Sequence, residues 1–206
     1  DPEVAVKGLG SEYRIQQNYF KYHACCRINH APLEAVINAK QHEEFPLDEV
    51  EAVDIATPRM LAGMLGEYPD SMLAAKFNVP YAIAAAIVRN EADVTAFYPE
   101  AINEQRIRDL AGKVRVTVDA EMADGGDDGP LARASIRLRG GRTLEGATGI
   151  IPGDYGNRLP RQSLLDKFHF LSDDILGPDQ ANAAVLAVDR LDQLDDVRDL
   201  TSLLGG

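Results

Sequence analysis

The chain has 206 residues, 45% of them hydrophobic and 26% charged, and a formal net charge of −12 from 33 acidic and 21 basic side chains. That length can bury roughly 70% of the unfolded surface, in one large domain or two small ones. The acidic balance argues against nucleic acid as a partner. The longest apolar run, around 79–88, is interrupted by Pro80 and is too short to cross a bilayer, so no membrane partner is expected.

The sequence opens at Asp1 rather than at a methionine and shows no basic, apolar leader; processing is one reading of that start, and a piece of a longer protein is at least as much expected. Residues 1–20 read as a loop with Gly8 and Gly10, then a short strand over 13–20 from the aromatic and β-branched content of Tyr13, Ile15, Tyr19 and Phe20. Residues 21–30, KYHACCRINH, hold a lysine, an arginine, two histidines and both cysteines. Cys25 and Cys26 are adjacent, without disulfide or metal-site spacing, which points to a reducing, cytoplasmic setting. The run 31–40 carries Leu33, Val36 and Ile37 at helical spacing, with Pro32 in the first turn and Asn29 as the cap. A strand-to-helix turn there aims side chains and backbone N–H groups at one point, which suits an anionic substrate.

The pattern continues with a solvated stretch at 42–44 and a strand over 50–57 ended by Pro58. Met60, Leu61, Met64 and Leu65 suggest a helical turn before Gly66. Residues 71–89 predict a largely buried helix that Pro80 either kinks or starts. Helical pieces follow at 95–98 and 104–110, the latter ended by Gly112, then a strand over 114–122. Residues 124–130 read as a flexible acidic loop. The runs 132–138 and 143–148 flank Gly140-Gly141 as a β-hairpin, and the glycine- and proline-rich 149–160 marks a boundary. From Arg161 the pattern is helical, through Leu164, Leu165, Phe168 and Leu171, then 181–191 and 197–204. The five aspartates and two arginines of 189–199 read as a solvated helix face. The fold class expected is α+β, a small mixed domain with an antiparallel sheet and helices, followed by an all-helical C-terminal segment.

Three segments together resemble the MmgE/PrpD family. FKYHACCRINHAPLEAV at 20–36 is similar to its lysine, aromatic and cysteine-rich stretch with a histidine ahead of a helix. AAKFNVPYAIAAAI at 74–87 is similar to its K-F-S-x-P-Y-A-x-A pattern, with Asn78 replacing the serine. GDYGNRLPRQSLLDKF at 153–168 resembles its turn before a helix ending in Lys-Phe. The family includes 2-methylcitrate dehydratase, cis-aconitate decarboxylase and an iminodisuccinate epimerase, and the similarity covers the second half of a member. It implies that residues 1–20 finish a pass through a large helical domain, 21–150 form an α+β lid, and 151–206 return to the helical domain. The acid–base residues of the first half would come from an N-terminal helical domain, in the same or a partner chain.

The candidate site residues carry two readings each. Lys21 can bind a substrate carboxylate or stabilise an enolate-like charge, or simply be a surface lysine. His30 can act as a general acid or base, or bond to backbone at a helix start. Tyr81 matches a family tyrosine that lines the site, the alternative being a core aromatic whose hydroxyl finds a carbonyl. Arg27 can fork onto a carboxylate or make a structural ion pair. Cys26 falls where some relatives carry a catalytic histidine. Asn78 can touch substrate, although cap and turn roles are common for asparagine. His23 reads as structural or exposed, and His42 and His169 have no chemical neighbours.

The resemblance implies a cofactor-independent enzyme, with no metal, that removes a proton next to a carboxylate of a small di- or tricarboxylic acid. A hydro-lyase like 2-methylcitrate dehydratase is favoured over epimerase or decarboxylase, and a homodimer is expected. The reading from another class is a silent carboxylate-binding or assembly module that needs a partner chain.

Overall fold

The computed structural model describes residues 2–40, 43–58, 64–90, 92–124 and 130–205. The expectations for 42, for Met60 and Leu61, and for the loop at 125–129 lie outside the described residues. The chain divides into two compact units, Asp1–Arg158 and Leu159–Gly206.

The first unit opens with the short helix α1 (Pro2–Val6) and a 3-10 turn at Arg14–Gln17. The strand expected over 13–20 does not form. Tyr13, Ile15 and Phe20 are exposed, so no apolar face holds that segment to a sheet. A second 3-10 turn, Arg27–Asn29, runs into α2 (His30–Lys40), whose residues 30–36 are all buried. Pro32 sits in the first turn, as its missing N–H allows. Asn29 is not a side-chain cap: its Nδ2 donates to the Lys76 carbonyl at 3.2 Å.

The strand expected over 50–57 is β1 (Val50–Thr57). The predicted helix over 71–89 is two, α3 (Met72–Lys76) and α4 (Val79–Arg89), and Pro80 falls in the first turn of the second. Proline therefore starts this helix rather than bending it. Helices α5 (Pro99–Ile102) and α6 (Gln105–Ala111) lead to β2 (Val114–Val118). This strand ends four residues early, because Ala120–Asp124 turns into α7, with Asp119 Oδ1 accepting from the backbone of Glu121 and Met122. The hairpin is β3 (Ala132–Leu138) and β4 (Thr143–Thr148), with Gly140 and Gly141 both at φ +88°. Only glycine enters that region freely.

The four strands form one sheet in the order β2-β1-β3-β4. It is mixed rather than antiparallel: β1 and β2 pair in parallel, Val53 opposite Val114, while β1–β3 and β3–β4 are antiparallel. The β1-to-β2 crossover carries α3 to α6, and such a connection is what parallel pairing requires. Helix α2 packs on β3 and β4, and α4 packs on α2, α6 and β2, enclosing Leu33, Val53, Ile55, Ile83, Ile107 and Ile136. At Gly146 in β4 the helix comes so close that a Cβ would stand 2.2 Å from Ala39 N and 2.3 Å from Ala35 O.

In the second unit, α8 (Arg161–Leu176) packs on α9 (Pro178–Asp189), followed by a 3-10 turn at Leu191–Gln193, the short α10 (Arg198–Thr201) and a further 3-10 turn at Ser202–Leu204. Residues 189–199 are mostly exposed but do not form one helix. Residues 151–158, expected at the head of the C-terminal segment, fall in the first unit, where Asp154 and Asn157 form an isolated bridge.

Candidate functional site

The segment 21–34 brings together more ionisable chemistry than its neighbours. Lys21 is exposed at its start. His23 is buried, and its Nε2 lies 2.6 Å from Oε1 of Glu34, which is also buried. Glu34 is one turn along α2 from His30, so i,i+4 spacing puts both on the same helix face. The rings of His23 and His30 meet edge to face, centroids 5.1 Å apart.

His30 is 1% exposed, and its Nε2 is a buried atom without a hydrogen-bond partner. Its pKa is lowered to about 4, chiefly by burial, which penalises the charged imidazolium, and secondarily by the charges of His23 and Lys21. A hydrogen bond to the Cys25 backbone and the Glu34 charge pull the other way. A neutral imidazole at this depth is a bare acceptor rather than an exposed general acid.

Around this cluster the chain is tied down by backbone bonds. The N–H of Cys26 donates to the Lys76 carbonyl at 2.9 Å, the acceptor that Asn29 also uses, so this turn closes the C-terminal end of α3. Cys26 is half-buried and both cysteines are free thiols. Arg27 pairs with Asp154 and stacks over Tyr19, guanidinium carbon 4.3 Å from the ring centre. Its guanidinium is thus engaged by a carboxylate of the 153–157 loop, which Phe20 N–H also grips through the Gly153 carbonyl at 2.9 Å. Of the two readings of Arg27, the ion pair is the one this geometry shows.

Two further expected site residues lie at the start of α4. Tyr81 is fully buried in the core between Tyr68 and Phe97, and its hydroxyl donates to the Ala96 carbonyl at 2.7 Å. Burial pushes that hydroxyl well above the ordinary phenol range, so it holds its proton. Asn78 caps α4: its Oδ1 accepts from Tyr81 N at 2.9 Å and its Nδ2 donates to the carbonyls of Gly66 and Glu67. In this geometry the Tyr81 hydroxyl makes the carbonyl bond and Asn78 the helix cap that were the alternative readings of each. The cleft of about 830 Å³ lined by Val36, Ile37, Lys40, Ala86 and Asn90 lies at the C-terminal ends of α2 and α4, at the far end of α2 from His30. Among the described residues there is no group of three or more His, Cys, Asp or Glu fit to hold a metal ion.

Sequence reasoning missed Glu34 and Asp154. For Glu34 a signal was present: a carboxylate on the apolar face of a helix, four residues after a histidine, needs a buried partner. Asp154 reaches Arg27 across 127 positions, which no local pattern encodes.

The chain belongs to the MmgE/PrpD family, whose C-terminal domain model matches residues 23–193. It is 25% identical over 162 residues to cis-aconitate decarboxylase of Mus musculus, covering 79% of this chain and 33% of that protein. It is 24% identical over 215 residues to cis-aconitate decarboxylase of Aspergillus terreus, covering 98% of this chain and 43% of that protein. The chain therefore spans less than half the length of these curated relatives.

Proposed function

We propose that this chain is the C-terminal portion of a cofactor-independent lyase acting on a small di- or tricarboxylic acid. The observation that carries this is the exposed Lys21 beside a buried histidine pair, two residues ahead of the segment 23–193 that the family model matches. Lys21 holds a carboxylate and stabilises the negative charge that spreads onto it when the neighbouring carbon loses a proton. From that carbanion, departure of hydroxide from the adjacent carbon, protonated as it leaves as water, is dehydration. Decarboxylation needs no prior proton removal: a carboxylate leaves as carbon dioxide, its bonding pair stays behind as the stabilised carbanion, and one solvent proton quenches that pair.

The hydro-lyase reading, with 2-methylcitrate as the model substrate, and the decarboxylase reading, which the names of the relatives favour, share this site. The principal base comes from the missing helical half, onto which residues 151–206 fold back, in a cytoplasmic homodimer. Among the described residues no helix is long and apolar enough to cross a membrane. The test is a substrate panel on the protein that includes the helical half. Turnover of 2-methylcitrate or cis-aconitate that is lost in Lys21→Ala supports the reading. Silence toward all small carboxylic acids, with the fold intact, favours a binding or assembly module instead.

A further inference from the structure

The loop 150–158 reaches the acid-binding segment at two points, one on each side of Lys21. Upstream, the Phe20 N–H donates to the Gly153 carbonyl at 2.9 Å. Downstream, the Arg27 guanidinium pairs with the Asp154 carboxylate, and its central carbon also stands 4.3 Å from the ring centre of Tyr19. Gly153 and Asp154 are consecutive, so one turn of chain holds both ends of 19–27. That turn is braced from within. Ile151 is buried in the core, and Gly153 is buried at φ +94°, a conformation that glycine enters without strain. The Gly153 N–H donates to the Asn157 carbonyl at 2.8 Å, the Asn157 N–H to the Asp154 carbonyl at 3.0 Å, and Asn157 Nδ2 to the Ile150 carbonyl at 2.9 Å.

Residues 18–22, by contrast, lie in no helix or strand. Just past Lys21 the chain is seated on the core, with His23 against Glu34 and the Ala24 N–H on the Ala92 carbonyl at 2.9 Å. Lys21 thus lies between that seat and the loop. The Arg27 side chain is 40% exposed, and an ion pair so open to water contributes little to folding, so its effect is local.

We propose that Asp154 is a positioning residue. Through Arg27, and together with the Gly153 carbonyl on Phe20, it fixes the backbone from which Lys21 reaches a substrate carboxylate. This deepens the acid-binding reading of Lys21 and rests on it. The charges make the role testable, because Asp154 is an anion beside a segment that receives an anion. By charge alone, removing it tightens acid binding twice over: a repulsion goes, and Arg27 is released as a second cation. Positioning gives the opposite sign, since a loosened Lys21 must be ordered again on binding.

The test compares wild type, Asp154→Asn and Asp154→Glu in the protein that includes the helical half. Citrate is the calorimetric probe, and hydrogen–deuterium exchange of peptides covering 19–27 reports the backbone. Asp154→Asn is expected to weaken citrate binding about tenfold or more and to speed exchange at 19–22, with the melting temperature near that of the wild type. Asp154→Glu keeps the carboxylate and should bind within about threefold of wild type. Citrate binding that is unchanged or tighter in Asp154→Asn overturns the proposal, and so does equal weakening in both variants. Lys21→Ala reads the acid-binding role separately. Citrate binding that survives Lys21→Ala, or is absent from the wild type, refutes that role. The exchange data then decide the clamp by themselves, and unchanged exchange at 19–22 in Asp154→Asn overturns it.

Discussion

Nε2 of His23 lies 2.6 Å from Oε1 of Glu34, a contact across eleven residues made inside a core of aliphatic and alanine side chains. Removing one member strands the other away from water, and breaking such a pair costs more than the pair itself contributes. Glu34→Ala is expected to destabilise the chain by about 2–4 kcal/mol, and Glu34→Gln, which retains an acceptor, by about 1 kcal/mol. Guanidinium unfolding at unchanged m-value measures this. An alanine variant that unfolds at the wild-type midpoint would show that the pair contributes nothing.

The neutral His30 also sets a pH dependence. Its pKa is about 4 in the folded chain and about 6.5 when exposed. The unfolded chain therefore binds the extra proton first. The sign follows directly: this contribution is fully present above about pH 6.5 and is lost as pH falls toward about 4, amounting to on the order of 2 kcal/mol at the acid end. Carboxylates add their own acid loss, so the comparison is with His30→Asn, whose amide can replace the ring N–H donor. The difference between the two stability curves should narrow between these two pH values. Parallel curves would mean that His30 titrates normally in the fold.

What could be read from sequence was local. Alternation found β1, two glycines found the β3–β4 turn, and Pro80 offered a helix start as one of its two readings, the one the fold takes. What escaped was non-local or ambiguous. The parallel β1–β2 pairing depends on a crossover of some fifty residues, and no residue in either strand announces it. Tyr13 to Phe20 has strand composition but no buried face, and composition without burial does not make a strand. In the site, Lys21 and His30 stood out by residue type. Glu34 and Asp154 are the partners of His23 and Arg27 there and needed the folded geometry.

Gly146 offers a sharper test of packing. Its missing Cβ is what lets β4 touch the backbone of α2, with Ala39 N and Ala35 O both inside 2.4 Å of where that carbon would stand. These are backbone atoms in a buried helix and cannot swing aside. Gly146→Ala should push α2 off the sheet and cost about 3 kcal/mol or more. Because α2 also carries His30 and Glu34, the His30 NMR signals should broaden or move as well. An alanine variant as stable as the wild type would mean that α2 sits farther from β4 than this.

Lys21 and Tyr81 separate function from packing when they are changed in the protein that includes the helical half. Lys21 is exposed, so Lys21→Ala should leave the melting temperature within the range of ordinary surface substitutions, about ±0.5 kcal/mol. Turnover should fall by about a hundredfold or more, the scale for removing one charge-stabilising donor. Tyr81→Phe should do the reverse. It deletes the hydrogen bond to the Ala96 carbonyl and leaves that oxygen buried, which costs about 1–2 kcal/mol, while kcat stays near the wild-type value. A Tyr81→Phe variant that is stable yet inactive would return the tyrosine to the site. A Lys21→Ala variant with near-normal turnover would remove the lysine from it.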